Sequence, residues 1–582
     1  MASASAEAAL SEASLHVPLL LSSQEAVAKG VDDGDDVSSS RRAVWLESKK
    51  VLRLAVPISL SNVIAFGGSL VTTAQVGHLG SLELSAITLA RSVFHVTGLS
   101  LVVGMASAVE TFCGQAHGAG QHRVLGVVLQ RAVLLCLLTA CLPLALWARA
   151  EDLMLAIGQK PEVASLAARY VRLLGPALGC WGVSACIRDY LASQGVVTPQ
   201  TLVAAAYTAA APLVNHLCIY TAGWGMVGAA VAYNILQALE LLLMLAAMAW
   251  MHLRRQTPAT RTWGGFSGQA LRGWGGYLKV ALPSAAAICL DWWTYEAVIL
   301  IAGGLPDAHV QLGAMGLAFD THALLFMVVD GFSSATSTRV SNQLGAGHGS
   351  GARFSGLVAL GLGVAAPLAG SGALLALPRQ WAGLYTRDRA IIALVARLMP
   401  LLTVSNLADA VASVTSGLLR GAGRQELAFK VNLAAYWLLG LPSAALLALR
   451  YGAGAQGLWA AMGCASAVQA SVLLGCVLRF DWPQEAARAQ HRVAAEAAVA
   501  EAGGYGIIGG GGHATHAPGG AEEAGEGQGE EERAALLGRR GSVDGGAGAG
   551  GLGRGVPRQP LHQGLDSRHG THEPVLTSEH VV

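Results

Sequence analysis

From Gln200 to His252 the chain carries one residue of the Asp, Glu, Lys and Arg set, Glu240. A run like that cannot coat a surface facing water, but it can coat one facing lipid. The rest of the sequence agrees. Charged residues make up 13% of the chain and its mean hydropathy is +0.48, whereas soluble domains carry about 25% charge. These values exclude a soluble enzyme or a fibre, and a net charge of +1 gives no case for polyanion binding. The fold class they imply is an all-α polytopic membrane protein.

Spanning a bilayer takes about 20 apolar residues per helix. Stretches of that length lie near 51–75, 85–109, 124–147, 163–186, 201–222, 227–252, 277–303, 310–336, 354–377, 391–418, 428–449 and 456–478, twelve in all. The first begins too late for a cleavable signal peptide. Residues 1–45 are polar, with Asp32, Asp33, Asp35 and Asp36, and read as a disordered cytosolic tail. Residues 482–582 are rich in Gly, Ala, Glu, Arg and His and read as a second disordered cytosolic tail. Basic residues set the orientation. Arg41, Arg42, Lys49, Lys50 and Arg53 precede span one, Arg254, Arg255, Arg261 and Arg272 follow span six, and Arg420, Arg424 and Lys430 follow span ten. All share one side of the membrane, the cytosolic one, in a multi-pass protein of the plasma or vacuolar membrane.

The chain repeats itself. Leu52-Arg53-Leu54-Ala55-Val56-Pro57 matches Leu278-Lys279-Val280-Ala281-Leu282-Pro283. Gln115-Ala116-His117-Gly118-Ala119-Gly120 matches Gln343-Leu344-Gly345-Ala346-Gly347, and Gly225-Met226-Val227-Gly228 matches Gly454-Ala455-Gln456-Gly457. The offset is about 226–229 residues each time. The expected organisation is two six-helix lobes related by duplication, residues 46–260 and 261–481, in the same orientation with a cavity between them. Alternating access suits that plan and favours a transporter over a receptor.

Ionisable groups inside spans cost about 2.5–3.5 kcal/mol each, so they mark function. The second half holds Asp291, Glu296, Asp320, Asp330 and Asp409; the first holds only Glu240 and Glu110. Carboxylates crowded with few basic partners are suited to taking up and releasing a proton; hydrogen bonding to a neighbouring helix for packing is the competing reading. In Asp291-Trp292-Trp293-Thr294-Tyr295-Glu296, residues four apart share a helix face. Asp291 and Tyr295 then point one way, and Trp292 and Glu296 a neighbouring way. Acid and ring together fit a cationic, partly apolar ligand, although lipid or helix packing serves the tryptophans equally. The nine cysteines have no disulfide or zinc spacing and read as packing residues. Gly509–Gly512 lacks the Gly-Lys-Ser/Thr of a phosphate loop, and His513 and His516 read as solvated tail. Nothing argues for catalysis or for a cofactor beyond a coupling ion.

Several runs resemble signatures of the multidrug and toxic compound extrusion (MATE) transporters. They are Gln75-Val76-Gly77-His78-Leu79-Gly80, Glu110-Thr111-Phe112-Cys113-Gly114-Gln115-Ala116, Leu129-Gln130-Arg131, the Asp291–Glu296 segment, Arg339-Val340-Ser341-Asn342-Gln343-Leu344-Gly345-Ala346-Gly347 and Leu419-Arg420-Gly421-Ala422-Gly423. The resemblance covers roughly residues 46–480 and is to the eukaryotic branch shared by plants, algae and animals. It implies a V of two lobes around a central cavity and exchange of protons, or less readily sodium, for organic cations and other small solutes. By motif position, it places Asp291 at the main coupling carboxylate, Glu296 at the second acid of that segment, Asp320 at the span-eight acid of animal members and Asp409 at the span-ten acid. There are departures. His95-Val96-Thr97-Gly98 stands where Asn-Val-Thr-Gly is common, Asp330 replaces an uncharged position, and span one has Thr72 and Thr73 but no acid.

The expected function is a proton-coupled antiporter exporting organic cations or secondary metabolites. Export of an organic anion or neutral metabolite is the alternative, and a membrane sensor or scaffold using the long tail is a third reading. In that tail, Arg539-Arg540-Gly541-Ser542 has the form basophilic kinases read, and Glu532-Arg533-Ala534-Ala535-Leu536-Leu537 that of a dileucine signal for a sorting adaptor. A chain cut after about residue 485 is expected to transport normally.

Overall fold

Apolar runs of this length can satisfy their backbone polar groups inside lipid only as helices or closed barrels. In a computed structural model, which describes residues 37–254 and 261–501, they are helices, and no strand occurs among the described residues. The long elements are α1 (Val37–Gly77), α2 (Leu82–Gly118), α3 (His122–Ala148), α4 (Pro161–Leu173), α5 (Gly175–Ser193), α6 (Thr198–Thr221), α7 (Gly225–Arg254), α8 (Trp274–Gly303), α9 (Ala308–Gly345), α10 (Gly349–Ala376), α11 (Arg389–Ala422), α12 (Gln425–Arg450), α13 (Gly454–Leu478) and α14 (Trp482–Glu501). Eleven of these are long and apolar enough to cross a membrane, and α4 with α5, bent by 46°, brings the number to twelve as one broken span. Local chemistry sets several ends. The Asp388 carboxylate accepts from the backbone N–H of Ala390 at 2.8 Å to start α11, and Gly423, at φ 72°, ends it in the left-handed conformation a glycine adopts freely.

The two halves meet through the repeated motifs. A Cβ added at Gly118 would lie 2.0 Å from the Asn342 carbonyl oxygen, and one at Gly345 would lie 2.0 Å from that of Gln115. Each glycine belongs to one copy of the repeat and lets the backbone of the other copy approach. Gly345→Ala should therefore lower thermal stability in detergent by about 1–3 kcal/mol through overpacking. Gly316→Ala, on the same helix with nothing within 4 Å of its Cβ position, should change it little. Equal melting of the two variants would show that this contact is not tight.

Both expected tails are shorter than the sequence implies. Residues 37–45 belong to α1, because Glu47 is drawn into the second half: Arg339 Nη2 lies 2.7 Å from Glu47 Oε1, and Ser355 Oγ donates to the same oxygen at 2.7 Å. Residues 482–501 are the helix α14, which is not among the candidate spans. Trp482, Ala486, Ala489 and Val493 give it a buried apolar stripe. Its polar contacts reach both halves. Glu496 pairs with Arg131 of α3 at 2.6 Å, Glu485 pairs with Arg424 at 2.6 Å, and Arg492 donates to Gln115 Oε1 at 3.1 Å and to the Ala422 carbonyl at 2.7 Å. Burial pushes the Arg492 guanidinium down to about 10, against the pull of Glu485, and it stays charged at neutral pH. The acidic cluster before residue 37, His513, His516, Ser542 and the dileucine segment lie outside the described residues. All nine cysteines are free, with Cys136 and Cys186 thiols 3.6 Å apart in the core.

Candidate functional site

α8 presents two working faces, one turn apart in composition. Asp291 and Tyr295 face the second half. Asn432 Nδ2 on α12 donates to Asp291 Oδ1 at 2.8 Å, and the Tyr295 hydroxyl lies 3.1 Å from His322 Nε2 on α9. Trp292, Trp293 and Glu296 face α2 of the first half. The Trp292 ring lies 6.2 Å from that of His95, Trp293 Nε1 donates to the Val96 carbonyl at 2.7 Å, and Ser92 Oγ donates to Glu296 at 3.3 Å. Wide π-helical turns help both sides. One spans Phe94–Leu99 opposite Trp293, and another spans Leu433–Gly440, carrying Tyr436; such turns recur at functional sites.

Asp409, on α11, is 6% exposed. Tyr436 donates to its Oδ1 at 3.2 Å and Ser405 to its Oδ2 at 3.3 Å, while His322 Nε2 lies 3.7 Å from Oδ2. The Tyr436 hydroxyl also lies 3.1 Å from Gln469 Oε1, so its one proton is shared between Asp409 and Gln469, and Gln469 Nε2 donates to Asn432 Oδ1 at 2.5 Å. These contacts form a chain that links Asp291, Asn432, Gln469, Tyr436, Asp409, His322 and Tyr295. Among the described residues no Arg or Lys forms an ion pair with Asp291, Glu296, Asp320, Asp330 or Asp409. Carboxylates without a paired cation among apolar helices attract a proton or an organic cation.

Three acids stand apart from this chain: Glu296, held by Ser92, and Asp320 and Asp330. Asp320 is exposed and makes no hydrogen bond or ion pair among the described residues. Asp330 accepts from Asn62 Nδ2 of α1 at 3.0 Å, so it joins the halves rather than the site. Glu110 is likewise an interface group, paired with Arg420 at 3.2 Å, beside Gln115 Nε2 donating to the Gly421 carbonyl at 2.9 Å. Glu240 is neutralised by Arg188, whose guanidinium lies 4.9 Å from the Trp181 ring centroid.

The sequence reading passed over Asp189, because it ended that span at 186 whereas α5 runs to Ser193. It also missed His322, Asn406, Asn432, Tyr436 and Gln469. These are neutral or weakly basic side chains that cost little on a hydropathy scale, so a search for charge does not find them. A search for amide, imidazole and phenol groups inside spans would.

The MatE family model matches residues 57–217 and again residues 283–446, the same register in which the sequence repeats. Protein DETOXIFICATION 16 of Arabidopsis thaliana is 33% identical over 460 residues, 79% of this chain and 93% of that protein. The Homo sapiens multidrug and toxin extrusion protein 1 is 35% identical over 445 residues, 76% of this chain and 77% of its own. Among solved structures, the eukaryotic MATE transporter AtDTX14 superposes with a TM-score of 0.73 at 30% identity, covering 77% of this chain and 99% of that one.

Proposed function

We propose a transport mechanism from one premise: the chain belongs to the multidrug and toxic compound extrusion (MATE) family. It is thus a multi-pass membrane transporter of two duplicated lobes and not an enzyme, and its ligands are small molecules carried across a lipid bilayer. Its lobes are residues 46–260 and 261–481. It exchanges protons for organic cations or cationic metabolites, exporting the latter. Asp291 and Asp409 take up and release the proton, Glu296 and Asp320 add negative charge, and Trp292 and Tyr295 offer ring faces to the cation. No cofactor is required beyond the coupling ion, a proton in preference to sodium. The face that carries α14 is cytosolic, in the plasma or vacuolar membrane. Ser542 and the dileucine segment are its contacts for a kinase and a sorting adaptor.

The observation that carries this reading is the linked pair of half-buried Asp291 and buried Asp409, set among hydroxyl and amide groups with no Arg or Lys among the described residues paired to either. An acid held between apolar helices can bind either a proton or an organic cation, so the two compete for the same negative charge. One pH unit supplies about 1.4 kcal/mol per proton, and 100 mV about 2.3 kcal/mol per charge, which is sufficient for modest accumulation. Purified protein in vesicles with an imposed pH gradient should accumulate a cationic fluorophore. Competition by cations should exceed that by anions of like size by about tenfold or more. Equal competition would replace this reading with export of organic anions or neutral metabolites, and absence of any driven flux would favour a sensor.

A further inference from the structure

We propose that His322 is the relay through which a proton reaches and leaves Asp409. The proposal rests on the reading of Asp409 as a coupling carboxylate and adds a residue to it. Among the described residues Asp409 has four polar neighbours: the hydroxyls of Tyr436, Ser405 and Tyr295, and the imidazole of His322. The hydroxyls carry no basic nitrogen. Imidazole is the one group of the four that can accept a proton on one nitrogen while keeping the hydrogen on the other.

The placement of the ring fits that role. Asn406 Oδ1 lies 2.5 Å from His322 Nδ1. An amide oxygen only accepts, so Nδ1 keeps its hydrogen and Nε2 is the open nitrogen of the neutral ring. Nε2 stands between the Tyr295 hydroxyl at 3.1 Å and Asp409 Oδ2 at 3.7 Å. Tyr295 in turn lines an apolar cleft with Met315, Phe319, Trp459 and Met462. His322 thus joins an acid buried in the helix bundle to a cleft wall.

Three rings surround the imidazole: Tyr295 at 5.3 Å, Trp459 at 5.7 Å and Phe326 at 6.1 Å between centroids. Aromatic faces at that range stabilise a cation. In the transfer, the Oδ2–H bond of protonated Asp409 breaks and an Nε2–H bond forms. The Nδ1–H bond to Asn406 stays in place. The Tyr295 hydroxyl turns from donor to acceptor toward the new Nε2–H. The products are a carboxylate and an imidazolium; the imidazolium then passes its Nε2 proton to the Tyr295 oxygen as the hydroxyl gives up its own proton on the cleft side, which restores both neutral groups. The vacated carboxylate is then free to hold a cationic substrate.

The titratable groups in contact with His322 are Tyr295 on α8 and Asp409 on α11; Tyr436 on α12 contacts Asp409, Asp291 is linked to Tyr436 through Asn432 and Gln469, and Trp459 of α13 packs against the ring without titrating. The pH profile of driven exchange near neutrality should therefore depend on His322. The relay predicts a split between two measurements on vesicles loaded with a tetraalkylammonium probe that the unsubstituted protein carries. One is uptake driven by a pH gradient. The other is counterflow of labelled against unlabelled probe at equal pH, which needs no net proton movement.

His322→Asn supplies an amide N–H in place of Nδ1–H toward Asn406 but has no Nε2. His322→Gln reaches toward the Nε2 position but cannot carry a proton. Both should lose driven uptake by about tenfold or more beyond any loss of counterflow, with a shifted pH profile. Asp409→Asn should show the same split. Parallel loss of both activities in His322→Asn and His322→Gln would mark His322 as structural and overturn the relay. Normal driven uptake in those two with loss in Asp409→Asn would overturn the relay alone. Normal driven uptake in Asp409→Asn would overturn the coupling role of Asp409 and the relay with it.

Discussion

Glu496→Ala should cost the protein about 3–5 kcal/mol, because it strands Arg131 as an unpaired buried charge. The Arg131 side chain is 0% exposed and Glu496 is its ion-pair partner at 2.6 Å. Thermal unfolding in detergent should show a clear drop in melting temperature. The double variant Arg131→Met with Glu496→Leu should recover most of it, since apolar pairs replace buried ion pairs at little cost. Truncations separate α14 from the segment after it. A chain ending after residue 501 should melt like the full chain. One ending after residue 485 should fall at least as far as Glu496→Ala. This revises the sequence-based expectation that a cut near 485 leaves the transporter intact, because α14 holds partners on α3, α2 and α11. Unchanged melting of Glu496→Ala would show that Arg131 finds water or another partner.

Asp409→Asn and Asp291→Asn should each reach the membrane and lose pH-driven exchange by about two orders of magnitude or more, the scale on which a proton-handling group acts. Both keep side-chain size. At position 291 the new amide oxygen can still accept from Asn432 Nδ2. At position 409 one of the two hydroxyl donors, Tyr436 or Ser405, must turn to meet an amide N–H. Loss of flux with retained melting behaviour isolates the titratable group. Driven exchange at the unsubstituted rate in either variant would remove that residue from the mechanism.

Much of the site was legible because apolar surroundings make a carboxylate conspicuous. Asp291 and Asp409 stand out in α8 and α11, and helical spacing puts Asp291 and Tyr295 on one face. The same spacing puts Trp292 and Glu296 on a neighbouring face, and the structure turns that face to α2. What spacing could not supply was each partner. Asn432 reaches Asp291 across 141 residues, and Ser92 reaches Glu296 across 204. The stripe Trp482, Ala486, Ala489 and Val493 in α14 was readable as a helix face, but glycine-rich composition farther along the tail masked it.

Sequence alone determined that the chain forms apolar helices, that it is a duplication, and that most of the acids inside the spans lie in its second half. Those properties are sums or periods over neighbouring residues, and lipid imposes them on any helix that spans it. Tertiary structure alone decided which acids are linked to one another. It set Asp330 and Glu110 at the joint between the halves, neutralised Glu240 with Arg188, and gathered His322, Tyr436 and Gln469 around Asp409. A polar side chain's energy depends on what lies within hydrogen-bond reach, and in this fold those partners come from other helices.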